Sequence, residues 1–142
     1  MNDTVKLLKE CDSGCRTAID GMSQAMTKVT SPSLKTQIAS SIEAHAELGK
    51  RCYSLLKENN EGGGEPPAIG EMMMKTGTAI KLAVMPQDKH IAKMMADGAN
   101  MGIQSISKIL SACPDAEGES KKLAHDIINE EKNFYSSMLN YL

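Results

Sequence analysis

The sequence is poor in aromatic residues, with no tryptophan, one phenylalanine and three tyrosines, or 3% in all. Aromatic side chains are the platforms on which nucleic-acid bases stack, and a net charge of −2 offers no excess of basic groups for phosphates. We therefore expect no nucleic-acid partner. The interior must be filled by aliphatic side chains and by methionine, of which the chain has 11.

Long apolar runs are also lacking. No segment is apolar over a length that could cross a bilayer, and the opening residues MNDTVKLLKE do not have the pattern of a secretory signal peptide. We expect a cytoplasmic protein that does not enter the membrane. Its four cysteines are then expected to be reduced thiols.

No strand pattern is present, and helical periodicity runs through most of the chain. Apolar residues recur at steps of three or four, which predicts helices over residues 4–29, 33–59, 68–85, 88–112 and 117–142. Proline and glycine mark the boundaries, most clearly in the GGGEPP run at Gly62–Pro67. Asp88 is predicted to cap the helix that follows it. The chain of 142 residues is expected to form one all-α domain over residues 1–142.

The lengths of the links predict how the helices are arranged. Short links near Pro32 and Pro114 make their flanking helices antiparallel neighbours. The connection over residues 60–87 is long enough to travel the length of the bundle. It would join two antiparallel pairs through a partly helical crossover. An up-and-down bundle with a fifth, partial helix fits the same pattern.

The loop Gly63-Gly64-Glu65-Pro66-Pro67 before the crossover, together with the helix pattern, resembles the ferritin-like superfamily. More narrowly, it is similar to an uncharacterised bacterial branch of ferritin-like four-helix-bundle domains. Di-iron sites of this superfamily take a Glu from two helices and a Glu-x-x-His pair from the other two. Here Ile42 stands three residues before His45, and Phe134 three residues after Glu131. We therefore expect a ferritin-like bundle without an intact di-iron site.

His45 and Glu131 lie near the middle of their predicted helices, on otherwise apolar faces. Buried charges need partners, so we expect the two side chains to meet as an ion pair. The alternative is a mononuclear metal site, with iron or zinc held by His45, Glu131 and a third group. Other acidic and histidine side chains are expected at the surface or rim: Glu43, Glu47, His90 and His125.

The cysteines allow a second metal interpretation. Cys11, Cys15 and Cys52 are predicted at similar heights in the first two helices, with Cys113 at the same end. Thiols assisted by methionine can bind a soft ion such as Cu(I) or Zn(II). Cysteine is also a small apolar core residue, and no Cys-x-x-Cys spacing is present. We favour the packing role.

Two further patterns concern contacts between helices. Gly98 and Gly102 in one helix predict close approach by the backbone of a neighbouring helix, since glycine otherwise weakens a helix. Met72–Met74 cannot all face one core, which indicates a partner surface or a dimer contact, and simple packing of the crossover on the bundle is an equal alternative. The function expected from the sequence is a non-enzymatic structural or interaction module that self-associates as a dimer, without catalytic or cofactor-binding residues. The alternative is an atypical metal-binding protein.

Overall fold

The computed structural model describes residues 2–62 and 88–142 of the chain. Within these ranges it is all-α, with four helices and no strand. The helices are α1 (Asp3–Met26), α2 (Pro32–Glu58), α3 (Asp88–Ala112) and α4 (Gly118–Leu139). The predicted crossover helix at 68–85, the Gly63–Pro67 loop and Met72–Met74 lie outside the described residues. The all-α helical bundle predicted from periodicity is confirmed.

Local sequence explains where the first two helices begin and end. Asn2 Oδ1 accepts a hydrogen bond from Val5 N at 2.8 Å, and the Ser31 side chain accepts one from Leu34 N. Pro32 follows at the first position of α2, where its missing N–H costs nothing. At the far end of α2, Asn60 has a φ of 61°, in the left-handed region that commonly ends helices. The first helix ends at Met26 rather than at the predicted Val29, which is nonetheless buried.

Asp88 is the first residue of α3, and its carboxylate reaches another part of the chain. It accepts hydrogen bonds from Thr30 N at 2.8 Å and Ser31 N at 2.7 Å, and one from the Thr30 hydroxyl at 2.9 Å. The predicted capping residue therefore ties the start of α3 to the α1–α2 link. The N–H groups of Thr30 and Ser31 lie in a non-helical link and need a hydrogen-bond acceptor, which Asp88 supplies.

The four helices pack around a shared core. Helix α1 contacts α2, α3 and α4, and α4 contacts α2 and α3. At one end of the bundle, Asp88 binds the α1–α2 link and Tyr141 lies 2.5 Å from Ser33, between their hydroxyl oxygens. At the other end, Thr4 Oγ1 accepts a hydrogen bond from Glu117 N. The chain thus places the middle of each helix at the middle of the bundle.

The core consists of two clusters of buried residues. We call the one beside the α1–α2 link the aliphatic cluster: Ile19, Met22, Ala25, Val29, Leu34, Ile38, Ile42, Ala46, Ile91, Ala92, Ala96, Ala99, Phe134 and Met138. The other, here the thiol cluster, contains all four cysteines: Leu7, Leu8, Cys11, Cys15, Leu48, Cys52, Leu56, Ile106, Cys113, Ala116, Leu123, Ala124, Ile127 and Ile128. In sequence, His45 and Glu131 lie between members of the two clusters on both α2 and α4. The candidate site therefore lies mid-bundle.

Candidate functional site

His45 is held in the interior of the bundle by two acceptors. Its side chain is 1% exposed. Nδ1 lies 2.8 Å from the Ser41 carbonyl oxygen, and Nε2 contacts Oε1 of Glu131. A carbonyl oxygen accepts only, and an ionised carboxylate accepts only. Both ring nitrogens therefore face groups to which an imidazolium can donate.

The environment of His45 favours that charged form. Burial by itself lowers the pKa of His45, but the hydrogen bond and negative charge of Glu131 raise it, as do the Ser41 carbonyl and Glu130. The net result is a pKa above the ordinary value. The two side chains predicted from the sequence to meet are brought together, and they form a buried ion pair.

Glu131 enters this pair from α4, where it interrupts an apolar face. Its side chain is 8% exposed. The neighbouring Glu130 is half-buried and accepts a hydrogen bond from the Ser41 hydroxyl at 2.8 Å. Because Ser41 also contacts His45, the polar groups form one connected set from Glu130 through Ser41 and His45 to Glu131. Such networks hold a unique arrangement when every member has a partner.

Gly102 makes room for this network from the side of α3. A Cβ atom built on Gly102 would overlap the Glu131 carboxylate. The backbone approach predicted at Gly102 is wrong, because the group that comes close is a side chain of α4. The prediction is also wrong for Gly98, where an added Cβ meets none of the described residues within 4 Å. Glycine at Gly98 leaves open space instead.

That open space belongs to a groove of about 390 Å³ between α1 and α3, with α4 as its floor. Small residues form much of the α1 wall: Ser13, Gly14, Thr17, Ala18 and Gly21. The α3 wall contributes Gly98, Ala99, Gly102 and Ser105. Apolar side chains include Met22, Met95, Met101, Ile127 and Phe134, and Glu131 lies among them. Sequence reasoning missed this groove, although the small residues at helical spacing on both helices were a signal for it.

The thiols lie in the interior, where they behave as packed apolar groups. Cys11, Cys15, Cys52 and Cys113 are all buried and free. Burial raises the pKa of Cys11 and of Cys15 far above the ordinary range, and raises that of Cys52 to about 12. Cys52 Sγ donates to the Leu8 carbonyl oxygen at 3.0 Å. Metal binding needs the thiolate, which this environment disfavours.

The residues present do not fit a ferritin-like di-iron centre. Such a centre needs several carboxylates and two imidazoles from four helices. Here Glu131 is instead faced by Gly102 of α3. Among residues 2–62 and 88–142, no group of three His, Cys, Asp or Glu side chains is placed to hold a metal ion.

The remaining candidates lie away from the pair. Glu43, Glu47 and His125 are exposed, as expected. His90 was expected to be exposed and is half-buried, because it lies in the first turn of α3, which packs near the α1–α2 link. No helix in the described part of the chain is long and apolar enough to span a bilayer.

In comparisons with protein-family models, curated proteins and solved structures, no match to this chain was found.

Proposed function

We propose that this chain is a ferritin-like four-helix bundle of two antiparallel pairs that functions by binding rather than by catalysis. The ferritin-like arrangement is supported by which helix ends meet. The α1–α2 link lies with the start of α3 and the end of α4, whereas Thr4 of α1 lies with the α3–α4 link. Adjacency of α1 with α3 and of α2 with α4 also fits two hairpins joined by a crossover.

The observation that carries a binding role is the contrast at mid-bundle between a satisfied polar network and an open apolar groove. His45 and Glu131 bind one another, and Ser41 is bound by Glu130. Beside this network, the α1–α3 groove has a volume within the range typical of small-molecule sites, about 300–1,000 Å³. Pockets between the helices of a bundle are common ligand sites.

We further propose that the protein self-associates as a dimer in the cytoplasm. Among residues 2–62 and 88–142, the large exposed apolar side chains are Met94, Met101, Leu139 and Leu142. Three of them, Met94, Leu139 and Leu142, do not line the groove, so a second copy seated on those three leaves the groove open. Four buried free thiols fit a reducing compartment.

Two measurements on the full chain test these proposals. Light scattering after size-exclusion chromatography, over a wide concentration range, is expected to give the dimer mass, and Met94→Gln with Leu139→Gln is expected to shift it toward the monomer. The matched control is Lys93→Gln, an exposed change on the same helix as Met94. A strict monomer at every concentration overturns the dimer.

The second measurement is elemental analysis of protein purified without chelator. We expect no stoichiometric iron, zinc or copper. One equivalent of metal that disappears in His45→Leu would establish the metal-binding alternative and overturn a role without metal. Metal that instead disappears when Cys11, Cys15 and Cys52 are changed together to Ala would assign it to the thiols.

A further inference from the structure

The groove between α1 and α3 is lined by one nearly buried carboxylate, Glu131, whose second oxygen is not used by His45. Glu131 contributes Oε1 to His45. Oε2, the other carboxylate oxygen, lies toward Gly102, which lines the groove. No donor reaches Oε2 from the described residues. An ionised carboxylate has about four lone-pair sites, so Oε2 can accept further hydrogen bonds from a donor in the groove.

The charges around the groove select the kind of donor. Among the described residues that line it, the charged ones are Glu10 and Glu131. Glu130 lies beside the same network through Ser41. Even with His45 charged, three carboxylates are set against one imidazolium. This local excess of negative charge favours a cationic donor over a neutral one.

The remaining lining selects the body of the ligand. Met22, Met95, Met101, Ile127 and Phe134 are apolar, and methionine adapts to varied shapes. Gly21 and Gly98 contribute no side chain to the groove, and a Cβ at either position meets none of the described residues within 4 Å. The space is therefore apolar and elongated along the two helices, with the carboxylate at its floor.

We propose that the groove binds a small apolar molecule that carries a protonated amine, with the ammonium group donating to Oε2 of Glu131. The apolar body lies between α1 and α3, against Met95 and Met101. Glu10, which is exposed, lies at the rim and adds a weaker attraction. This inference rests on the proposed binding function and specifies its ligand class.

The test uses the full chain labelled with ¹³C in its methionine methyl groups, followed by NMR. Met22, Met95 and Met101 report on the groove, whereas Met94 and Met138 lie outside its lining. The probes are n-octylamine, n-octanoate and n-octanol, which share an alkyl chain and differ in the head group. We expect n-octylamine to shift the three groove methyls selectively and to bind at least about tenfold more tightly than the other two probes.

Two variants act on different parts of the proposed contact. Glu131→Gln keeps the size of the side chain and removes its charge, and is expected to weaken n-octylamine by about tenfold or more. Gly98→Leu places a side chain in the groove from a position where an added Cβ meets none of the described residues within 4 Å, and is expected to weaken n-octylamine binding by a similar factor. Because leucine is a better helix former than glycine, this variant is expected to fold. Gly118→Ala, outside the groove with open space around it, is the matched glycine control and is expected to bind normally.

The outcomes separate the ligand class from the binding function. If n-octanoate and n-octanol bind as well as the amine, and Glu131→Gln changes nothing, the amine proposal is overturned while binding in the groove stands. If no probe moves the groove methyls, or if all methionines move together, the groove is not a site for such molecules. If the groove methyls move with protein concentration alone, a second copy covers the groove, and the ligand proposal is again overturned. Dimer mass and metal content are measured independently of all these results.

Discussion

The α2–α4 side of the bundle and its α1–α3 side are built differently. Polar contacts join α2 to α4, or to the residue Tyr141 just after it, over most of the length of α2: Ser33 with Tyr141, Ser41 with Glu130, His45 with Glu131, and Arg51 with Asp126. On the α1–α3 side, polar contacts lie at the two ends of the bundle. Asp88 accepts a hydrogen bond from Ser31 at one end, and Thr4 accepts one from Glu117 at the other. The middle of this side is a groove lined by small residues.

This difference shows how one bundle can hold a fixed interior and still leave a groove between two of its helices. On the α2–α4 side, Ser41, His45 and Glu131 are buried and linked to one another or to Glu130, which favours one register of the two helices. On the α1–α3 side, small side chains leave space that the helices do not fill. Glu131 belongs to both sides, because one of its oxygens binds His45 and the other lies toward Gly102 and the groove.

The largest expected effect comes from breaking the buried pair on the α2–α4 side. His45→Leu leaves the Glu131 carboxylate buried without its partner, and such a change costs about 3–5 kcal/mol of unfolding free energy. Urea unfolding measures it. The double variant His45→Leu with Glu131→Leu is expected to recover most of the loss, since apolar replacement of both partners is often neutral. A cost below about 1 kcal/mol for the single variant would show that the pair does not stabilise the bundle.

The same pair predicts how stability depends on pH. The pKa of His45 is raised above its ordinary 6.5 in the folded state. Its contribution is therefore full at pH values below about 6.5 and is lost as the pH rises through the higher folded pKa. As the pH rises through this range, the unfolding free energy of the wild type is expected to decrease relative to that of the double leucine variant. An unchanged difference would mean that His45 does not gain a proton on folding.

A substitution repeated at two glycines of α3 separates the network from the groove. Gly102→Ala forces a methyl group against the Glu131 carboxylate, and overpacking of this kind costs about 1–3 kcal/mol. Gly98→Ala faces open space and is expected to stabilise the protein by up to about 1 kcal/mol through helix propensity. Thermal and urea unfolding measure whether each variant is less or more stable than the wild type. In a background that also carries Glu131→Ala, Gly102→Ala is expected to cause no further loss of stability. Equal effects of alanine at Gly98 and Gly102 would show that the two positions do not differ in this way.

The hydrogen bonds of Asp88, at one end of the α1–α3 side, are expected to contribute less to the free energy of unfolding. Asp88→Ala removes the acceptor for Thr30 and Ser31, and loss of such capping bonds costs about 1 kcal/mol. Asp97→Ala, on the exposed face of the same helix, loses only an ion pair with Lys93 and is the smaller control. Equal losses in the two variants would show that the contact with the α1–α2 link adds nothing.

Asp88 also predicts a dependence on acid. The backbone hydrogen bond from Thr30 holds the pKa of Asp88 below its ordinary value. Its stabilisation is therefore present above the unfolded pKa of about 3.9 and is lost as the pH falls through the lower folded pKa. The difference between wild type and Asp88→Ala is expected to shrink below about pH 4. A difference that stays constant there would exclude an ionised Asp88 as the acceptor.

The smallest expected effect is at the exposed edge of the α2–α4 side. Arg51 Nη1 lies 2.9 Å from Asp126 Oδ2, with both side chains partly exposed. Arg51→Ala is expected to cost about 0.2–1 kcal/mol, and less in high salt because the charges are screened. Lys50→Ala, whose partner Glu47 is on the same helix, is the control. A salt-independent loss would point to packing of the arginine stem instead.

Sequence periodicity predicted the four described helices because it depends on which residues face inward, and that is a local property. It did not predict every boundary: α1 ends at Met26 rather than Val29, and α4 at Leu139 rather than Leu142. The meeting of His45 and Glu131 was also predictable, since two polar residues on mid-helix apolar faces have few other partners. The groove was not predictable in the same way. Its width depends on the side chains of α1 and α3 together, and on the distance at which α4 holds them apart.

By itself, the sequence determined an all-α chain whose apolar stripes must be buried together, and whose buried imidazole and carboxylate must pair. Only the tertiary structure decided that Gly102 accommodates Glu131 while Gly98 leaves space, and that the Asp88 carboxylate holds the α1–α2 link. The physical reason is that burial is encoded along one helix, whereas the space between two helices is set by residues distant in the chain.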